Sequence, residues 1–122
     1  MNIEELREYC MSVKGATESM PFDDSIVVFK IMGKMFAYTG LEPKDGYFKV
    51  DLKCDPEKSF ELRDRYEGIT HGTHTHGLLW NSVLLDSDVP DSLIKELIEH
   101  SVEEVIKKLP KKKQEEYRKL LQ

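Results

Sequence analysis

Apolar residues recur at helical spacing near both ends of the chain. The first pattern predicts an amphipathic helix over Asn2 to Lys14, followed by Gly15, which suits the positive φ common at helix ends. The second pattern predicts a long helix over Pro90 to Leu109. Its apolar stripe comprises Leu93, Ile94, Leu97, Ile98, Val102, Val105, Ile106 and Leu109. Pro110 ends that helix, and a short basic helix is predicted from Lys111 to Leu121.

Between these helices the spacing changes to that of strands. Ser25 to Met32 and Met35 to Thr39 predict a hairpin, and Tyr47 to Lys53 alternates apolar with polar positions like a half-buried strand. Asp55 and Pro56 then predict the start of a short helix that ends near Tyr66. A further strand is predicted over Trp80 to Asp86.

The order of elements predicts the fold class. It is α+β, two-layer, an antiparallel sheet with helices on one face, in the order α-β(3)-α-β(2)-α plus a C-terminal helical extension. The chain has 122 residues, which suits one domain, with a core over 2–109 and a basic extension over 110–122. We expect a monomer whose second sheet face is open to water or to a partner.

Composition narrows the function. The net charge is -5 and charged residues make up 34% of the chain, whereas a protein that contacts many phosphates is usually basic. No apolar run has the length of a membrane span, so we expect no membrane association. Acids near Met1 do not fit a signal peptide, and Cys10 and Cys54 stand alone, so we expect a cytoplasmic protein.

Several segments in order resemble the MmcQ/YjbR family. They are Asn2–Leu6, Pro21-Phe22, Val28–Ala37, Leu52–Glu57, Trp80–Val83 and Val89–Ile94, with Ser101 on the last helix. The resemblance implies the same α-β(3)-α-β(2)-α fold, described as a double-wing, CyaY-like DNA-binding fold. One segment departs from the family, because Gly72 to Trp80 lacks the lysines that family members carry just before this Trp.

Lysines and aromatic residues on the predicted outer sheet face suggest a nucleic-acid interface. Lysines can hold phosphates while rings stack on bases, although an ordinary solvated face would show the same pattern. Tyr38 and Tyr47 lie between the lysines. The candidate residues are Lys30, Lys34, Lys49, Lys53, His74, His76, Trp80 and Asn81. We expect any DNA binding to be weak and sequence-independent. The alternative is a protein-interaction or chaperone-like domain that uses the open sheet face.

Catalytic and metal chemistry have little support in the sequence. No nucleophile elbow or phosphate-binding loop is present, so we predict a protein that is not an enzyme and needs no cofactor. Cys54 precedes a helix start that can lower a thiol pKa, but no partner base is evident. His71, His74 and His76 form the one obvious metal-binding alternative, at a spacing that matches no known motif, so we predict no metal site.

The C-terminal lysines admit a simpler interpretation. Lys107, Lys108 and Lys111 to Lys113 form a basic run, followed by Arg118 and Lys119. Cations at a helix C-terminus complement the helix dipole, so this run is also typical of a solvated helix end.

Overall fold

The computed structural model describes residues 1–43, 45–72 and 79–122. Its helices are α1 (Ile3–Ser12), α2 (Pro56–Arg65), α3 (Asp91–Lys107) and α4 (Lys111–Leu120). Its strands are β1 (Thr17–Ser19), β2 (Ile26–Ile31), β3 (Lys34–Gly40), β4 (Lys49–Lys53), β5 (Ile69–His71) and β6 (Trp80–Leu84).

These strands form one antiparallel sheet in the order β1-β2-β3-β4-β6-β5. Two residues join β2 to β3 and eight separate β3 from β4, both fewer than a parallel crossover needs, so these neighbours are antiparallel. The predicted fold class is confirmed. One element is additional, because β1 pairs Thr17 to Ser19 with the outer edge of β2. This strand is three residues long and mostly polar, so it has no detectable period.

The main core lies between the sheet and the helices. Phe29, Phe36, Val50 and Leu52 of the sheet are fully or almost fully buried. α3 lies over the two central strands, β3 and β4. The predicted apolar stripe supplies its inner surface, where Leu97 is 3% exposed. Most of the hydrophobic stabilisation of the domain therefore lies on this side of the sheet.

β3 contains a β-bulge, and at this bulge α3 forms hydrogen bonds with the sheet. Phe29 pairs with Ala37 and Lys30 with Met35, so Phe36 is an extra residue on β3. The pairing of β3 with β4 ends at Ala37 and Leu52, one residue short of the Phe36 carbonyl and the Lys53 amide. Ser101 of α3 satisfies both, because its hydroxyl donates to Phe36 O and accepts from Lys53 N at 2.9 Å. A single buried serine thus fixes α3 against the sheet.

The helix ends follow the signals in the sequence. Asn2 and Glu5 form a reciprocal capping box at the start of α1. Gly15 adopts a φ of +83° shortly after α1, a backbone conformation that other residues rarely adopt. Asp55 caps α2 by accepting from the Lys58 amide at 3.2 Å, with Pro56 at the first helical position. These local features confirm both predicted boundaries.

Candidate nucleic-acid interface

The outer face is the side of the sheet opposite the helices. Its central row runs across four strands through Val28, Tyr38, Asp51 and Ser82, which pair directly. Although no described helix covers this row, each of these residues is at most 8% exposed. The prediction of an outer face open to water is therefore wrong at its centre.

A buried carboxylate holds the middle of the outer face together. The Tyr38 hydroxyl donates to Asp51 Oδ2 at 2.7 Å, and the Ser82 hydroxyl donates to Asp51 Oδ1 at 2.8 Å. Asp51 is 1% exposed, so each carboxylate oxygen needs such a partner. Both donors and the acceptor lie on adjacent strands. We interpret this group as a structural connection between β3, β4 and β6.

The aromatic residues of this face are not available to stack on bases. The rings of Tyr38 and Trp80 contact each other with centroids 5.7 Å apart, and Trp80 is 9% exposed. Val28 packs against them, with Ile26 and Met35 around the margin. Tyr47 differs, since 52% of it is exposed. A stacking platform made of several rings, as in single-strand binding proteins, is absent from the described residues.

Two of the predicted interface residues lie on the other side of the sheet. Lys34 pairs with Ile31, a residue of the helix-side core, because the extra residue Phe36 reverses the alternation of β3. Asn81 is 2% exposed and lies beneath α2, where it accepts from Arg63 at 2.8 Å and donates to Ser59 at 3.1 Å. The prediction that both residues lie on the outer face is wrong.

The remaining lysines of the outer face lie at opposite ends of it. Lys49 begins β4 opposite Leu84, and Lys53 ends β4 opposite Trp80. At about 3.3 Å per residue, their backbones are roughly 13 Å apart. Lys30 lies at the same end as Lys53, since it is next to the turn between β2 and β3. The predicted lysines therefore do not form one continuous patch with Lys49.

Other cations join Lys53 at its end of the sheet. Burial lowers the pKa of Lys53, and the positive charges of Lys108 and Lys107 lower it further, while Glu104 raises it. These charges belong to the last turn of α3 and the residue after it. Lys107 pairs with the nearly buried Glu104 at 2.6 Å. In the described part of the chain no carboxylate pairs with Lys108, which adds an uncompensated charge beside Lys53.

The start of α4 adds further lysines to this end of the molecule. Lys111, Lys112 and Lys113 form the first turn of α4, which has no acidic residue and no side-chain cap. The N-terminus of a helix carries the positive end of the helix dipole, which repels these lysines. The interpretation that the dipole favours the whole basic run is correct for Lys107 and wrong for Lys111 to Lys113. Tyr117, 8% exposed, packs α4 into the main core and fixes their position.

We call this region the basic end and the opposite end of the strands the acidic end. The basic end comprises Lys30, Lys34, Lys53, Lys107, Lys108, Lys111 and Lys112. The acidic end carries Glu4 on α1, Glu18 on β1, and four acids on the residues that flank the strands, Asp23, Asp24, Glu42 and Asp88. The basic run from Lys107 to Lys113 is visible in the sequence, but its proximity to Lys53 is not, because these residues are distant in sequence and meet only through folding.

The histidines give no metal centre in the described residues. His71 ends β5 at the sheet edge, whereas His74 and His76 lie outside the described residues. His100 uses its Nε2 to accept from the Asp55 amide at 3.1 Å. Within residues 1–43, 45–72 and 79–122, no three His, Cys, Asp or Glu side chains form a group that could hold a metal ion.

The two cysteines are buried thiols without a disulfide. Burial raises the pKa of Cys10 to about 12. Burial also raises the pKa of Cys54, and the hydrogen bond with Ser59 offsets this only in part. The proximity of Cys54 to the start of α2 therefore does not make it a reactive thiolate.

The fold defines a class of small α+β proteins with one antiparallel sheet and helices on one face. The sequence model of the YjbR family matches residues 11–103. The chain belongs to the YjbR family. The uncharacterised YjbR protein of Escherichia coli strain K12 is 33% identical over 121 residues, which is 99% of this chain and 98% of that protein.

Solved structures show the same fold. The crystal structure of Deinococcus radiodurans protein DR2400, with a DUF419 domain, has a TM-score of 0.86 and 34% identity, and the match covers 94% of this chain and 86% of that one. A crystal structure of a Pseudomonas syringae protein has a TM-score of 0.72 and 25% identity, covering 83% of this chain and 96% of that one. No helix in the described part of the chain is long and apolar enough to cross a membrane.

Proposed function

We propose that this protein is a non-enzymatic nucleic-acid-binding module that contacts phosphates through its basic end. The grouping of cations at the end of β4 carries the proposal, because Lys53 ends this strand and Lys107 and Lys108 lie at the end of α3. Burial lowers the pKa of Lys53, and the charges of Lys108 and Lys107 lower it further. The repulsion between neighbouring positive charges decreases when a polyanion binds to them. The release of counterions from the nucleic acid makes binding more favourable still. The resemblance to a DNA-binding fold makes DNA the first ligand to test.

The contacts are expected to be with the backbone and not with bases. The basic end offers lysines, which act as point charges toward phosphate, and the buried Tyr38 and Trp80 cannot stack. Lys30 and Lys53 lie on two strands and Lys108 directly follows α3, so they present a fixed surface. Binding is therefore expected to be weak and insensitive to sequence.

Net charge does not argue against this proposal. The value of -5 is a sum over the whole chain, and many of the acids are at the other end of the sheet. At about 0.15 M salt the Debye length is about 8 Å, which is shorter than the roughly 13 Å between the two ends of β4. A phosphate at the basic end is therefore largely screened from Asp23, Asp24 and Glu42.

Fluorescence anisotropy of labelled duplex and single-stranded oligonucleotides at several salt concentrations tests the proposal. If about four phosphates are neutralised, the logarithm of the association constant should fall with the logarithm of salt at a slope of about -3 to -4 on duplex DNA. Oligonucleotides of different sequence should give the same slope. Absence of binding to either form at low salt would contradict the proposal.

A protein-interaction function is the second candidate. The buried centre of the outer face does not favour it there, because Tyr38, Trp80 and Val28 already pack against one another. Exposed apolar residues at the acidic end favour it at a different place: Met20 is 42% exposed and Leu41 is 43% exposed.

A further inference from the structure

An apolar slot opens at the acidic end between α1 and the sheet. Its volume is about 480 Å³, enough for one or two large side chains. Its apolar lining residues are Ile3 of α1, Val27 of β2, and Met20 and Leu41, which follow β1 and β3. It lies on the helix side of the sheet, and none of its lining residues belongs to the basic end.

The side of the slot is closed by an ion pair. The Arg7 guanidinium donates to both carboxylate oxygens of Glu18, with Nε to Oε2 at 2.8 Å. The pair joins α1 to β1, so the width of the slot is fixed by two elements of secondary structure. Because Arg7 is engaged with Glu18, its charge is already compensated.

Two loops form the mouth of the slot, and both are apolar and acidic. The Leu41 amide donates to the Ser25 carbonyl at 2.7 Å, which holds the residues before β2 next to those after β3. Phe22, 70% exposed, lies on the first of these loops. Asp23 and Asp24 follow it, Glu42 follows Leu41, and Glu4 lines the slot itself. Glu42 lines a separate pocket on the outer face together with Lys49, so the negative charge beside the slot comes from Glu4 and from the loop that carries Asp23 and Asp24. Within the described residues Glu4 has no ion-pair partner.

We propose that this slot binds a basic segment of a partner protein through one large apolar side chain flanked by Lys or Arg. The apolar side chain would enter between Ile3, Met20 and Leu41, and the flanking cations would lie against Glu4 and the neighbouring Asp24. Charge complementarity selects a basic partner, since an acidic segment would be repelled at the mouth. Met20 suits such a slot because its flexible thioether adapts to different side chains.

The direct test is an amide NMR titration of the full chain with short synthetic peptides. The probe is acetyl-Lys-Lys-Phe-Lys-Lys-amide, compared with the same peptide carrying Ala in place of Phe, and with acetyl-Glu-Glu-Phe-Glu-Glu-amide. We expect saturable shifts of the amides of Met20, Leu41 and Arg7 with the first peptide, and much weaker binding of the other two. Equal binding of the Ala peptide, equal binding of the acidic peptide, or shifts confined to other regions would each overturn the proposal.

Matched variants separate the slot from general charge effects. Leu41 and Leu120 are both 43% exposed, and Leu120 lies on α4 and does not line the slot. Leu41→Ala should lower the affinity for the Lys-Lys-Phe-Lys-Lys peptide about tenfold, because apolar contact is lost. Leu120→Ala should leave this affinity unchanged. Equal effects of the two variants would overturn the proposal. Glu4→Gln, which removes the acid that lines the slot, should weaken binding and reduce its salt dependence.

Discussion

The two ends of the sheet are built from the same strands but have opposite character. At one end the turn of the β2–β3 hairpin, the end of β4 and the α3–α4 junction bring lysines together around Lys53. At the other end the loops before β2 and after β3 carry Asp23, Asp24 and Glu42 beside exposed apolar residues. The difference shows that net charge describes neither end, so a protein of net charge -5 can still present a cationic surface.

We expect the largest effect on stability from a substitution in the core between the two ends. α3 runs from the acidic end to the basic end, and Leu97 lies near its middle at 3% exposure. Leu97→Ala should lower the free energy of unfolding by about 2–5 kcal/mol, because a buried large-to-small change leaves a cavity. Urea unfolding measures this loss, with the exposed Leu120→Ala as control. A loss near zero would mean that the apolar stripe of α3 does not form the core.

A second stability test concerns the acid in the middle of the outer face. Tyr38→Phe removes the hydroxyl that donates to Asp51 Oδ2 and should cost about 1–3 kcal/mol, since the oxygen stays buried without that donor. Tyr47→Phe is the control, because Tyr47 is 52% exposed at the acidic end. If both variants lose the same stability, Asp51 is not a structural connection between strands.

Much of the fold can be predicted from the sequence because its signals are local. The stripe of α3, the Asp55–Pro56 start of α2 and the alternation of β4 depend on residues close in sequence. The bulge at Phe36 does not, because it is stabilised by Ser101 from another element. That one extra residue puts Lys34 on the helix side of the sheet, opposite to the face that strict alternation along β3 predicts.

The candidate site could be predicted only in part. Lys30 and Lys53 lie on the outer face as expected, but their neighbours Lys107 and Lys108 come from an element more than fifty residues later in the chain. The burial of Asn81 beneath α2 likewise depends on Arg63 and Ser59, which sequence spacing does not relate to it. Tertiary contacts, and not residue patterns, decide both outcomes.

We expect pH to have a smaller effect on the stability of the fold, and the pH range of this effect should differ between the two ends. At the basic end, burial and then the charge of Lys58 lower the pKa of His100. The unfolded chain therefore binds more protons here, and stability should fall as pH decreases from about 6.5 toward the lowered pKa of His100 in the folded protein. His100→Gln should reduce this dependence between pH 7 and pH 5. An unchanged pH profile for His100→Gln would contradict the assignment.

At the acidic end the corresponding pH window is lower. The amides of Gly68 and Glu67 donate to Asp88 and lower its pKa, and Ser25 does the same for Asp23. Their contribution is present above the pKa of an unfolded Asp, about 3.9, and is lost as pH falls below it. Thermal unfolding of Asp88→Asn should show a smaller change between pH 5 and pH 3 than the parent chain. The same change in both proteins would exclude Asp88 as the source.

The most direct test of the basic end is the salt dependence of DNA binding in two variants that each remove one positive charge. Lys108→Ala acts at the basic end, and Lys49→Ala acts at the other end of β4, so both change net charge equally. Anisotropy titrations on one duplex should show that Lys108→Ala reduces the magnitude of the log–log salt slope by about one unit, with no change for Lys49→Ala. Equal reductions in the two variants, or a reduction for Lys49→Ala alone, would contradict a nucleic-acid interface at the basic end.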